Sequence, residues 1–116
     1  MLLEADVIRA RHMIDAAREA QTFAAGKSLP DFETDRQLLV SVVYCLPSIG
    51  EAARHMSPEC RALRPEIPWE DTIGMRNRLV HAYFDINVET VWRTVVEDLP
   101  PLVVAAEAII ASASCD

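Results

Sequence analysis

The chain has 116 residues, of which 51% are hydrophobic and 25% charged, with a formal net charge of −7. That length holds one domain with one core, and the balance excludes a disordered chain. The negative charge excludes a general nucleic-acid coat, because such affinity comes from lysine and arginine neutralising phosphates; any RNA chemistry needs its basic groups gathered in a local cleft.

The first predicted helix runs from about Leu3 to Ala24, with Leu3, Val7, Ala10, Ile14, Ala17 and Ala24 on one face. Gly26 ends it, and Lys27-Ser28-Leu29-Pro30 reads as a loop. A second helix is predicted to begin between Asp31 and Thr34, where Thr34 and Gln37 have the form of a capping box. Its buried face is Leu38, Leu39, Val42, Leu46, Ile49, Ala53 and Met56. Pro47 lies inside this helix and is expected to kink or divide it, since it removes a backbone donor. Ser57 to Pro68 contains Pro58, Pro65 and Pro68 and reads as a loop or broken turn.

A third helix is predicted from about Trp69 to Tyr83, and a fourth from the N-cap Asn87 to about Ala111. The fourth carries the stripe Val88, Val91, Trp92, Val95, Leu99, Leu102, Val103, Ala106 and Ile110, with a bend expected at Pro100-Pro101. No segment alternates apolar and polar residues over a strand's length. The expected fold class is therefore all-α, an antiparallel four- to five-helix bundle forming a single domain over residues 1–116.

No apolar run approaches the roughly 18–20 residues that span a membrane. The first residues lack a basic region before an apolar stretch, so neither a secretory signal nor a membrane partner is expected and the location is read as cytoplasmic. Cys45, Cys60 and Cys115 are widely separated, with no Cys-x-x-Cys pair and no ligand spacing to His12, His55 or His81. Ordinary reduced thiols are expected, with no metal site and no cofactor.

The third predicted helix carries the chemistry-bearing residues. On a helix, Trp69, Ile73, Val80 and Phe84 form a narrow apolar stripe, with Arg76 and Tyr83 on one margin and Asn77 and His81 on the other. Arg78 is left as the ordinary solvent-facing charge. Spacing alone leaves two readings open: a structural imidazole with a surface ion pair, or a polar rim that a second subunit would duplicate in a shared cleft.

The run from Trp69 to Ile86 closely resembles the HepT-like family of HEPN-domain toxins, whose hallmark R-N-x-x-x-H-x-Y is filled here by Arg76, Asn77, His81 and Tyr83. Ile49-Gly50-Glu51-Ala52-Ala53 resembles the family's I-G-E-A signature, and Val91-Trp92 with Asp98-Leu99-Pro100 resembles its final helix. Pro47 and Ser48 depart from the helix-friendly residues usual before I-G-E-A. The resemblance implies a homodimer with the two Arg–His motifs meeting at a cleft. It also implies a metal-independent ribonuclease toxin, partnered by a small nucleotidyltransferase antitoxin that transfers AMP to the motif tyrosine, here Tyr83.

The residue types suit that chemistry. His81 has the proton affinity to act on a 2′-OH or a leaving oxygen, Arg76 offers a planar fork of donors to a phosphoryl group, and Asn77 would orient one of them. The substrate would be RNA, transfer or messenger. Glu51 is left between a supporting pair with an arginine and a structural carboxylate. The competing reading is a non-catalytic helical module that partners a nucleotidyltransferase.

Overall fold

The computed structural model describes residues 4–82 and 85–114, with residues 81, 82 and 114 described in backbone only. Helix α1 (Glu4–Ala24) buries Met13 and Ile14 together with Ala10, Ala16, Ala17 and Ala20, and the alanines let its neighbours approach closely. Gly26 follows at φ +73°, a left-handed conformation that favours glycine, and Lys27 N–H returns to Ala24 O at 2.9 Å.

The second predicted helix is two helices. The short α2 (Leu29–Thr34) starts where a loop was expected, held by Asp31, which accepts from Ser28 N–H at 2.8 Å. Helix α3 (Arg36–Arg54) is capped by Asp35, whose carboxylate accepts from Leu38 N–H at 3.1 Å. The expected Thr34 capping box is therefore overturned. Thr34 is already helical and its hydroxyl donates back to Pro30 O. Helix α3 runs undivided through Pro47, which is exposed, so the missing donor falls on the solvent side and not in the core.

The stretch expected as a loop contains α4 (Pro58–Leu63). Ser57 caps it, and Asp6 of α1 holds Ser57 in turn, accepting from Ser57 N–H at 2.9 Å and from its hydroxyl at 2.6 Å.

The continuous third helix is also overturned. The chain makes α5 (Trp69–Ile73), turns at Gly74, makes α6 (Met75–Leu79), and then leaves the helix for β1 (Val80–Ala82). Strand β1 pairs antiparallel with β2 (Asp85–Ile86), with Val80 opposite Ile86. Val80, Tyr83, Phe84 and Ile86 are β-branched or aromatic, the residue types that favour strand over helix, so local preference wins over the extrapolated helical period.

Asn87 then caps α7 (Val88–Arg93), accepting from Thr90 N–H. A π turn over Thr94–Asp98 joins it to α8 (Leu99–Ser114). The expected distortion at Pro100-Pro101 appears as this widened turn, in which Leu99 N–H reaches Thr94 O. Neither proline can donate, and the ring of Pro100 would press on the carbonyl one turn back, so the extra residue relieves the crowding.

Helix α1 packs on α3 and on α8, and the core between them holds Leu46, Ile49, Leu99, Ala106 and Ile109. The expected stripes of the second and fourth predicted helices are buried or half-buried as read. Helix α5 lies against α3 at Gly50, where an added Cβ would stand 2.9 Å from Ile73 O and 3.2 Å from Thr72 O. Only glycine admits that approach, and it fixes where the following α6 begins. The architecture is a predominantly helical bundle with one short strand pair.

Candidate functional site

Helix α6 turns Met75 and Leu79 into the core, which leaves Arg76, Asn77 and Arg78 exposed. The stripe expected to face inward does so only in part: Val80 is buried, and Trp69 and Ile73 are half-buried. Phe84 and Tyr83 lie outside the described residues. His81 sits in β1, two residues past the end of α6, and not on a helical face shared with Asn77. The paired margins read from a continuous helix are thus replaced by a helix end followed by a strand.

Two backbone bonds hold this junction. Val80 N–H donates to Arg76 O where α6 closes, and Asn87 N–H donates to Leu79 O at 2.9 Å where the chain returns. The motif is therefore pinned at both ends of the strand pair to α6, and α6 packs on α3. Arg78 reaches toward Asp71 O at 3.5 Å on the other side of the helix.

Arg76 lines a pocket of about 460 Å³ between α3, α6 and the strand pair. The α3 wall is Arg36, Val40, Val43, Tyr44, Pro47 and Ser48, and Val80 and Ile86 close the other side. Its lining is mainly apolar, with two arginines and no carboxylate among the described residues that form it. Tyr44 is 79% exposed and Val40 47% exposed at its rim.

Arg36, Tyr44 and Ser48 were missed from the sequence. Their signal was available: with Val40 they recur at steps of four on the α3 face away from the buried stripe, where a tyrosine has no core to fill.

Glu51 pairs with His55, not with an arginine; its Oε1 stands 2.9 Å from His55 Nε2, one helical turn away. Both side chains are more than half exposed, and such a pair contributes little to stability.

Cys45 and Cys60 are buried free thiols. Burial pushes both thiols up to about 11, with Glu19 adding to the effect at Cys45 and Asp6 at Cys60. They are held as neutral packing groups, far from the thiolate form that reacts or binds metal. Cys115 lies outside the described residues. Among the described residues no group of three His, Cys, Asp or Glu side chains could hold a metal ion, and no helix is long and apolar enough to cross a membrane.

Residues 13–109 match the family described as Ribonuclease HepT-like. The chain is similar to "Probable ribonuclease HepT" of Thermococcus cleftensis, 42% identical over 62% of this chain and 66% of that protein. It is 36% identical to "Putative RNase TTE0752" of Caldanaerobacter subterraneus, over 66% of this chain and 69% of that protein. With "Putative RNase MJ1380" of Methanocaldococcus jannaschii the identity is 30%, over 78% of this chain and 83% of that protein. No solved structure matches.

Proposed function

Because the chain belongs to the HepT-like ribonuclease family, we propose that it is an RNA endonuclease, the toxin of a toxin–antitoxin pair, acting through Arg76, Asn77 and His81. The single observation that carries this reading is Arg76, exposed on α6 and lining a pocket without carboxylates, with His81 following in the adjoining strand.

The reaction is transphosphorylation. His81 removes the proton of a ribose 2′-OH, and the 2′-oxygen attacks the neighbouring phosphorus. Arg76 meets the negative charge growing on the phosphoryl oxygens with paired donors, and Asn77 orients the phosphate or the imidazole. The bond from phosphorus to the 5′-oxygen breaks, and that oxygen takes a proton from a second acid. The products are a 2′,3′-cyclic phosphate and a free 5′-OH. Proton transfer by histidine and charge stabilisation by arginine suffice, so no metal is required in this scheme.

The second acid is His81 of another copy, in a homodimer whose cleft brings two motifs together. The exposed Tyr44 and Val40 beside the Arg76 pocket support such a neighbour, because large uncharged side chains at a rim gain by being covered. The antitoxin is a small nucleotidyltransferase, and AMP on Tyr83 adds bulk and negative charge beside the arginine, competing with an incoming phosphate.

Purified protein free of antitoxin, incubated with total RNA in EDTA beside Arg76→Ala and His81→Ala, tests the reading. Cyclic-phosphate ends should form with the unmutated chain, and each substitution should lower the rate by about 10²-fold or more. A folded dimer lacking AMP on Tyr83 that cuts nothing would replace this reading with a non-catalytic module partnering a nucleotidyltransferase, which the net charge of −7 also suits.

A further inference from the structure

A second and larger groove lies between α1 and α3. It has a volume of about 730 Å³ and is lined by Arg9 and His12 from α1, by Pro47, Ser48, Glu51 and Ala52 from α3, and by His55 at the C-terminal cap of α3. Pro47 and Ser48 also line the Arg76 pocket, so the two spaces meet at one wall.

The face of α3 that carries both is continuous. Val40, Tyr44, Ser48, Glu51 and His55 recur at steps of three or four, with Pro47 beside Ser48, a single stripe of about 22 Å at the helical rise. Arg9 and His12, three apart, meet that stripe from α1.

The groove is built for an anion. Three of its side chains carry nitrogen donors, and the Arg9 Nε is buried without a hydrogen-bond partner among the described residues. An anion placed in the groove would meet the arginine through charge-assisted hydrogen bonds to its guanidinium. The one carboxylate lining the groove, Glu51, has its Oε1 2.9 Å from His55 Nε2.

We infer that the Arg9–His12–His55 groove is a second phosphate subsite, holding the backbone of single-stranded RNA one or more nucleotides away from the phosphate at Arg76. This deepens the ribonuclease reading and rests on it, since the inference takes the Arg76 pocket as the place of cleavage. An acidic chain gains from it directly. Two separated pockets on one helix face, each with at least one arginine, grip an extended strand where the remaining surface repels it. A short RNA fragment would reach one pocket and a longer strand both.

The test is binding, read apart from cleavage. A fluorescent single-stranded RNA of twelve nucleotides, 2′-O-methylated so that it cannot be cut, is titrated with the full chain at several salt concentrations. A 2′-O-methylated dinucleotide is titrated as the short probe. The variant Arg9→Gln/His12→Gln/His55→Gln is expected to lose about tenfold in affinity for the twelve-mer, with a salt slope smaller by about 0.7 for each phosphate contact removed. Its affinity for the dinucleotide stays as in the unmutated chain. Glu51→Gln, which keeps a polar partner for His55 and removes the opposing charge, should bind the twelve-mer more tightly.

If the triple variant fails to fold, the exposed pair His12→Gln/His55→Gln, with Arg9 intact, should show the same loss at smaller size. Unchanged twelve-mer affinity and salt slope in either folded variant overturns the subsite. So does inorganic phosphate that saturates the groove without displacing the twelve-mer, which would make it a free-anion site. Cleavage of unmodified RNA is measured in parallel: cutting with no binding change sinks the subsite alone, and a binding change with no cutting sinks the nuclease alone.

Discussion

Helix α3 spans 19 residues without interruption and buries nine of them, from Leu38 to Ala53. The stretch from Trp69 to Ile86 is instead divided among α5, α6, β1 and β2, elements of five, five, three and two residues. A five-residue helix cannot persist on its own, because the first turn fixes several residues for one hydrogen bond. The motif segment therefore borrows its shape from α3, whereas α3 and its partners α1 and α8 supply their own through burial. Rigidity and chemistry are carried by different parts of the chain, and the contact between them is small enough to be cut with single substitutions.

Gly50 is where that contact is tightest. Gly50→Val would drive two branches into the carbonyls of Thr72 and Ile73, which are backbone and cannot swing aside. We expect a loss of about 1–3 kcal/mol, typical of overpacking, measured as a lower denaturant midpoint. RNA cleavage by the remaining folded protein should fall as well, because α5 is lifted from α3 and Arg76 moves with it. Full activity per folded molecule would mean that α6 finds its place without the Gly50 contact, and the proposed dependence of the motif on α3 would fail.

Asp6 tests the scaffold side. It is 2% exposed and both its oxygens serve Ser57, so Asp6→Ala leaves a backbone donor and a hydroxyl without their acceptor. The expected cost is about 1–3 kcal/mol of stability, the range for orphaning a buried polar group, read from thermal or denaturant unfolding. Activity per folded molecule should be retained, the opposite of the Gly50 result. If Asp6→Ala silences cleavage at full stability, the scaffold and the motif are not separable in this way.

The same division explains what could be read from the sequence. The stripes of α3 and of α7 with α8 were legible because burial imposes the helical period on long segments. The identity of Arg76, Asn77 and His81 as candidates came from the resemblance. Their arrangement did not follow, since a period that holds through Leu79 was extended across Val80 into residues that favour strand. Asp35 was passed over in favour of Thr34 because the two neighbours offer equivalent capping oxygens, and only the phase of α3 decides between them. The Arg9–His12–His55 groove was illegible because it joins α1 to α3 across more than forty residues of chain, a proximity no local pattern records.

The smallest expected effect concerns α2, which belongs to neither region. Asp31 is half-buried, and its carboxyl is held below the ordinary 3.8, first by the backbone N–H of Ser28 and then by the Ser28 hydroxyl, against a smaller opposing effect of burial and with a weaker pull from Lys27. A folded-state value below the unfolded one means that this cap stabilises α2 fully above the unfolded value. It is lost as pH falls below 3.8 and through the folded value. The Ser28 amide proton should therefore titrate in an NMR series with an inflection below 3.8, and Asp31→Asn should abolish that titration. Global unfolding should hardly move, because the cap holds only the six-residue α2, and resonances of Arg76 and Asn77 should show no inflection at the same pH. An inflection shared by α2 and α6 would reveal a link between the cap and the motif, and would break the separation of scaffold from site at its weakest point.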